Sequence, residues 1–246
     1  MYNDRPLFNE DLNLIGLNWP GFTRTNNSSS GFIFLMKKDL ISELNDLRTF
    51  FFKYYNEIIV ISFSTLFIAI RYYHSVGNPW FSSFLYLGVL PILTILILLR
   101  KNPLDFGLKI GNYKIWSVYV CAFLIIALPI LYITSELSSV RRYYSSENFD
   151  LLTYSLKILI YMLGWEFMFR GFLLFGLKER FKEGSILIQM IPFTILHLGK
   201  PEIETLSCVI TGLLWGFIAY RGNSFWPAYI MHVVVNISNK YFVTML

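Results

Sequence analysis

From about residue 54 onward, long apolar runs alternate with short polar connectors. Hydrophobic positions inside these runs are continuous and do not alternate, which favours helices over strands. Most of the runs approach the ~20 residues a helix needs to cross a bilayer core. Spans are predicted over approximately Asn56–Tyr72, Trp80–Leu99, Ile115–Thr134, Leu151–Leu177, Ser185–Leu198, Thr205–Tyr220 and Phe225–Val243. Breaks fall at Asn78-Pro79, at Pro103, Gly107 and Gly111, at Gly199-Lys200-Pro201, and at Gly222-Asn223, where a helix cannot easily continue. The expected fold is an all-α, polytopic integral membrane helical bundle of about seven spans, with a polar cavity among spans four to seven.

The first 53 residues differ in pattern. Met1–Ser30 is polar and Asn-rich and lacks the basic-then-apolar order of a cleavable signal, so a cytoplasmic tail is expected. In Gly31–Lys53, Leu40, Leu44 and Leu47 recur at helical spacing among charged residues, which predicts an interfacial amphipathic helix. The chain therefore divides into residues 1–53 and a transmembrane domain over 54–246.

Composition sharpens this reading. Of 246 residues, 55% are hydrophobic and only 15% charged, where soluble domains carry about a quarter charged. The net charge of +5 is spread over connectors. It forms no basic patch on a soluble domain, which argues against a nucleic-acid partner. Near the span ends, twelve Lys and Arg residues fall on the side of the N-terminus and five on the other, so the N-terminus is expected in the cytoplasm of a cell-membrane protein. Cys121 and Cys208 both sit in apolar runs and read as small buried hydrophobes, not as a disulfide.

Five polar groups stand out against the apolar background: Glu166, Arg170, His197, His232 and Asn236. Charge at bilayer depth costs about 2.5–3.5 kcal/mol per residue on insertion scales, so such groups need partners and mark a functional site by default. Glu166 and Arg170 are four apart, as are His232 and Asn236, so each pair shares a helix face. At ~1.5 Å per residue, Glu166, His197 and His232 lie about 16, 18 and 10 Å from the cytoplasmic ends of their spans, within reach of one cavity. A carboxylate and an imidazole can hold a water and take its proton. An imidazole and an amide on one face can stabilise the oxyanion of an attacked carbonyl. The set suits hydrolysis of an amide by water without a covalent nucleophile. Zinc held by His197, His232 and Glu166 is a weaker alternative, since no H-E-x-x-H helix occurs, and no cofactor is expected.

Secondary features read as structural. Lys157 is about half a turn round the helix from Glu166 and is expected to snorkel on another face. Gly212 and Gly216 form a small-xxx-small pattern suited to helix packing inside the bundle. His74 is expected at the surface, and Asn239 on the Asn236 face.

Trp165-Glu-Phe-Met-Phe-Arg170, Phe193-Thr-Ile-Leu-His197 and His232-Val-Val-Val-Asn236, in that order over residues 151–236, resemble the three motifs of the CPBP family. This is the CAAX protease and bacteriocin-processing, or Abi, group of intramembrane endopeptidases. The family pattern opens with two adjacent glutamates followed by an arginine. Here the second glutamate position is Glu166, the arginine position Arg170, and the first glutamate position holds Trp165. The resemblance implies that the missing glutamate would activate water with His197. It also implies that His232 and Asn236 stabilise the transition state.

The function expected is a glutamate-type peptidase cleaving a peptide or membrane protein at the bilayer. In it Glu166 orients or activates water with His197, Arg170 holds that carboxylate, and Glu204 is an auxiliary candidate for the missing one. The alternative is a catalytically silent relative acting in bacteriocin immunity or peptide binding.

Overall fold

The computed structural model describes residues 29–145 and 149–245. The expected tail over Met1–Ser30 lies almost wholly outside the described residues, as does Glu147 of the polar loop before the motif helix. Two compact units emerge, Met1–Phe50 and Phe51–Leu246. The first carries most of helix α1, Ser29–Lys53. Leu40, Leu44 and Leu47 on α1 are exposed, as are all residues over 37–53.

In the second unit, helices occupy all seven stretches that the apolar pattern marks. They are α2 (Tyr55–Tyr73), α3 (Pro79–Leu99) and α4 (Tyr113–Ser135). A short α5 (Ser138–Tyr144) follows, then α6 (Leu151–Phe181), α7 (Gly184–Ile195), α8 (Glu202–Gly222) and α9 (Trp226–Met245). Among the described residues no strand occurs. Four of these helices, α3, α4, α6 and α8, are long and apolar enough to cross a membrane, and α2 makes five if joined to the last part of α1. This is fewer than the seven expected. α7 has only 12 residues, and His232, Asn236, Asn239 and Lys240 lower the apolar character of α9.

The helix ends follow local chemistry. Pro79 and Asn78 start α3, with the Asn78 side chain accepting from the Phe81 N–H. Asp150 caps α6 by accepting from Thr153 N–H, and the Thr153 side chain, followed by that N–H, holds its carboxyl below the usual range. Asn223, at φ 51°, ends α8 in the left-handed conformation that Asn tolerates.

Which helix lies inside is decided by surroundings more than by apolar content. Of the most apolar stretch of α6, 78% is buried, against 6% for α4, although α4 has the higher mean hydropathy. α6 is packed between α2, α3, α7, α8 and α9, whereas α4 faces outward and rests mainly on α9. Two close approaches set these positions. A Cβ at Gly164 would lie 2.6 Å from Ser83 O and 2.8 Å from Phe84 Cα, so α3 and α6 touch backbone to backbone there. Gly212 and Gly216 let α8 close on side chains of α7, where a Cβ would meet Met190 Cγ at 2.8 Å and Gln189 Nε2 at 2.5 Å. The small-xxx-small pattern thus serves internal packing, as expected.

Other sequence readings divide. His74 is exposed. Lys157 lies on a face away from the site, its Nζ 5.3 Å from the Trp80 ring. Cys208 is buried but Cys121 is exposed, because its helix turns that face outward.

Candidate functional site

α6 carries a π-helical turn over Phe167–Leu173, directly after Glu166. Such widened turns recur at functional sites because they re-aim neighbouring side chains. The buried pair is present as the spacing predicts. Glu166 and Arg170 are both fully buried, and Arg170 Nη1 donates to Oε1 and Oε2 at 3.0 Å each. The guanidinium carbon lies 3.9 Å from the Phe193 ring centroid and 5.5 Å from that of Trp215. Its Nε and Nη2 have no acceptor among the described residues, so aromatic faces supply their surroundings.

The third partner of the pair is His232. Its Nδ1–H donates to Glu166 Oε1 at 2.5 Å. The sequence reading joined Glu166 to His197 instead, and in the structure its recorded bonds go to Arg170 and His232. The cause is helical phase. Adjacent helix positions point about 100° apart, so Glu166 turns to α9 while Trp165 turns to the α7–α8 turn. The Trp165 ring stands perpendicular to the His197 ring at 5.8 Å, so an indole occupies the face of α6 that meets His197.

His197 lies just beyond the end of α7 and is buried. Its Nδ1 is 2.7 Å from the Phe193 carbonyl oxygen. A carbonyl only accepts, so Nδ1 carries the proton and Nε2 keeps its lone pair. Thr205 Oγ1 donates to the His197 carbonyl at 2.7 Å and fixes the turn. The two imidazoles are near parallel, 28° apart, with centroids separated by 6.3 Å. Asn236 donates one amide N–H to the His232 carbonyl at 3.0 Å, which leaves its second N–H uncommitted.

His197, His232, Asn236 and Asn239 line one cavity of about 510 Å³, together with Glu204 and Cys208. Its remaining walls are mostly apolar residues of α4 and α8, such as Phe123, Ile126, Ile210 and Leu214. Glu204 is not the solvated loop residue that its position in the chain suggests. Its Oε2 accepts from Tyr144 OH at 2.6 Å and its Oε1 from Lys200 Nζ at 2.8 Å. Burial, and then the carboxylate, push the Tyr144 phenol upward. At Lys200 burial works the other way, but Glu204 outweighs it and raises the ammonium above its ordinary value. Among the described residues no three of His, Cys, Asp and Glu converge as a metal would require; Glu166 bonds His232, whereas His197 bonds the Phe193 carbonyl.

Sequence reasoning missed Arg71, Tyr144, Lys200 and Trp215. Arg71 looked like a connector charge at the end of a span, and no motif marks Tyr144. Lys200 reads as loop polarity, and Trp215 as one more apolar position. Trp215 nevertheless lines the cavity and packs against His232 at 5.0 Å.

Neither curated proteins nor solved structures gave a match. A family model does: residues 147–238 match the family described as type II CAAX prenyl endopeptidase Rce1-like. That stretch contains all three motifs and every candidate site residue from Glu166 to Asn236. Over it, the chain is similar to the CAAX-type membrane endopeptidases that this family describes, as the three motifs led one to expect.

Proposed function

We propose that this integral membrane protein is an intramembrane peptidase in which His197 and His232 act as a base–acid pair. The observation that carries the reading is the difference between the acceptors of the two Nδ1–H groups around one cavity. His197 gives its Nδ1–H to a neutral carbonyl and keeps an Nε2 lone pair. His232 gives its Nδ1–H to a carboxylate that is itself paired with Arg170, and in this reading it works with both ring nitrogens protonated.

In this mechanism His197 Nε2 takes a proton from water as the water oxygen bonds to the substrate carbonyl carbon. The second N–H of Asn236 and the Nε2–H of His232 stabilise the oxygen that becomes negative. His232 then gives its Nε2 proton to the leaving nitrogen as the C–N bond breaks. Return of the proton from His197 through solvent to His232 restores the site. The balance is one water consumed and one amide converted to an acid and an amine. Glu166 holds His232, and Arg170 holds Glu166. The carboxylate implied by the resemblance is not needed as base, and Glu204 lines the cavity as an auxiliary group. Substrates are peptides or membrane proteins reaching the bilayer.

The test is a comparison of membrane peptides by N-terminal mass spectrometry in cells expressing wild type, His197→Ala or His232→Ala. Cleaved termini that appear with wild type and vanish with both variants are expected. If both variants, inserted at wild-type levels, produce the same termini, the pair does not catalyse.

One observation favours a second reading. Trp165 fills the face that meets His197, as in a silent relative that binds a peptide without cutting it. In that case no wild-type terminus appears, yet the chain still retains a bound peptide on purification.

A further inference from the structure

The part of the chain outside the family match also reaches this site. Arg71, in the last turn of α2, is partly buried. Its Nε donates to Ser83 Oγ of α3 at 2.7 Å and its Nη2 to Tyr161 OH of α6 at 3.1 Å. Its guanidinium carbon lies 5.2 Å from the Trp165 ring centroid and 5.8 Å from that of Tyr161. Tyr161 in turn stacks on Trp165 at 5.6 Å and 24°. The indole is 5% exposed, with Arg71 and Tyr161 against it on one part of its surface and the His197 ring at 5.8 Å on another.

We propose that Arg71 is a positioning residue for His197, acting through Trp165. The contacts of Arg71 come from α3 and α6, so the cation, itself on α2, reports the packing of three helices to a single ring. Among the described residues, the imidazole has one side-chain hydrogen bond, to the Phe193 carbonyl. A single such bond leaves a ring free to swing about its axis. The Trp165 edge and the Phe193 ring, 4.7 Å away, remove that freedom and keep Nε2 directed consistently. A cation on an aromatic face is worth about 0.5–2 kcal/mol, more when desolvated. That is enough to hold one rotamer of a buried indole against its neighbours. The same arrangement explains how a tryptophan is tolerated where the resemblance implies a carboxylate. The cation that would pair with a carboxylate at position 165 stacks on the indole instead.

This inference rests on the peptidase reading only for its kinetic arm. The chain has three histidines, so ¹⁵N-histidine labelling in lipid nanodiscs gives three assignable rings. His74 is exposed and serves as an internal control. In Arg71→Ala the His197 ring nitrogens are expected to lose the single Nδ1–H tautomer signature and broaden, while His232, held by Glu166, stays unchanged. Arg71→Lys, which keeps the cation, is expected to restore the signature in part, and Trp165→Phe to weaken it. Where cleavage is measurable, Arg71→Ala is expected to lower kcat about ten-fold or more with KM little changed, because misplacement of a reacting group is felt in the chemical step. An unchanged His197 signal in folded Arg71→Ala overturns the proposal, whatever cleavage does. So does simultaneous loss of the His232 signature, which would mean general unfolding of the site. Absence of cleavage in wild type with the expected His197 change sinks the peptidase reading alone and leaves the positioning role standing.

Discussion

Replacing Glu166 by Gln removes one charge from a pair that is fully buried on both sides. The amide still accepts a hydrogen bond from His232, so the shape of the site is kept. Arg170, fully buried and with Nε and Nη2 lacking acceptors among the described residues, then holds a cation without its counter-charge. Breaking a buried pair from one side costs about 3–5 kcal/mol, which at ~1.4 kcal/mol per decade is more than a hundred-fold in the folding equilibrium. The companion change Arg170→Met leaves the opposite defect, a buried carboxylate still bonded to His232 at 2.5 Å. It should cost less, because His232 can carry the compensating proton. The double variant removes both charges and should recover about 1–3 kcal/mol relative to the sum of the single losses, the range for contacting residues. Reversible unfolding of each protein in mixed micelles, followed by tryptophan fluorescence, supplies the four free energies of the cycle. A loss below about 1 kcal/mol for Glu166→Gln, or a double variant that loses the sum of the two singles, would refute the claim that the ion pair is the main partner of either charge.

Other changes probe different contacts. Gly164→Ala would press a methyl onto the α3 backbone at Ser83 and Phe84. Since backbone cannot yield as a side chain does, a loss of about 1–3 kcal/mol is expected in the same unfolding assay. Trp165→Glu would set a carboxylate beside His197, with Arg71 already at hand as its counter-ion; a gain in terminus production, lost again in Trp165→Glu/Arg71→Ala, is the expected outcome by mass spectrometry. The raised pKa of Lys200 is a stability statement. The contribution is present below the unfolded lysine pKa of about 10.4 and fades as pH rises through the higher folded value. Wild type should therefore lose stability above about pH 10, and Glu204→Gln should lose less over the same interval. Tyr144→Phe removes the 2.6 Å bond to Glu204 and should speed deuterium exchange in α5 without altering exchange at the buried motif of α6.

Much of the bundle was legible because lipid makes a helix the cheapest way to satisfy backbone polar groups, so apolar length alone predicts helices. All seven apolar stretches are helical in the structure. The buried pair was equally legible, since four-residue spacing brings Glu166 and Arg170 to one helix face whatever surrounds them. The three-motif order led to the same family that the matching model reports over residues 147–238. Those features depend on the local chain, on period, charge and order.

What the sequence could not decide was direction. Helical phase sends Glu166 to His232 and Trp165 to His197, and only the packing of α6 among α7, α8 and α9 determines which neighbour each one meets. Membrane-facing and core-facing helices have nearly the same composition in lipid, so α4 and α6 could not be ranked by hydropathy, and Cys121 was assigned to the wrong environment. Glu204 read only as an auxiliary carboxylate until Tyr144 from α5 and Lys200 came beside it. Arg71 looked like a connector charge until α2, α3 and α6 closed around its guanidinium. Each of these contacts joins residues far apart in the chain, and their energy depends on distances that no local pattern encodes.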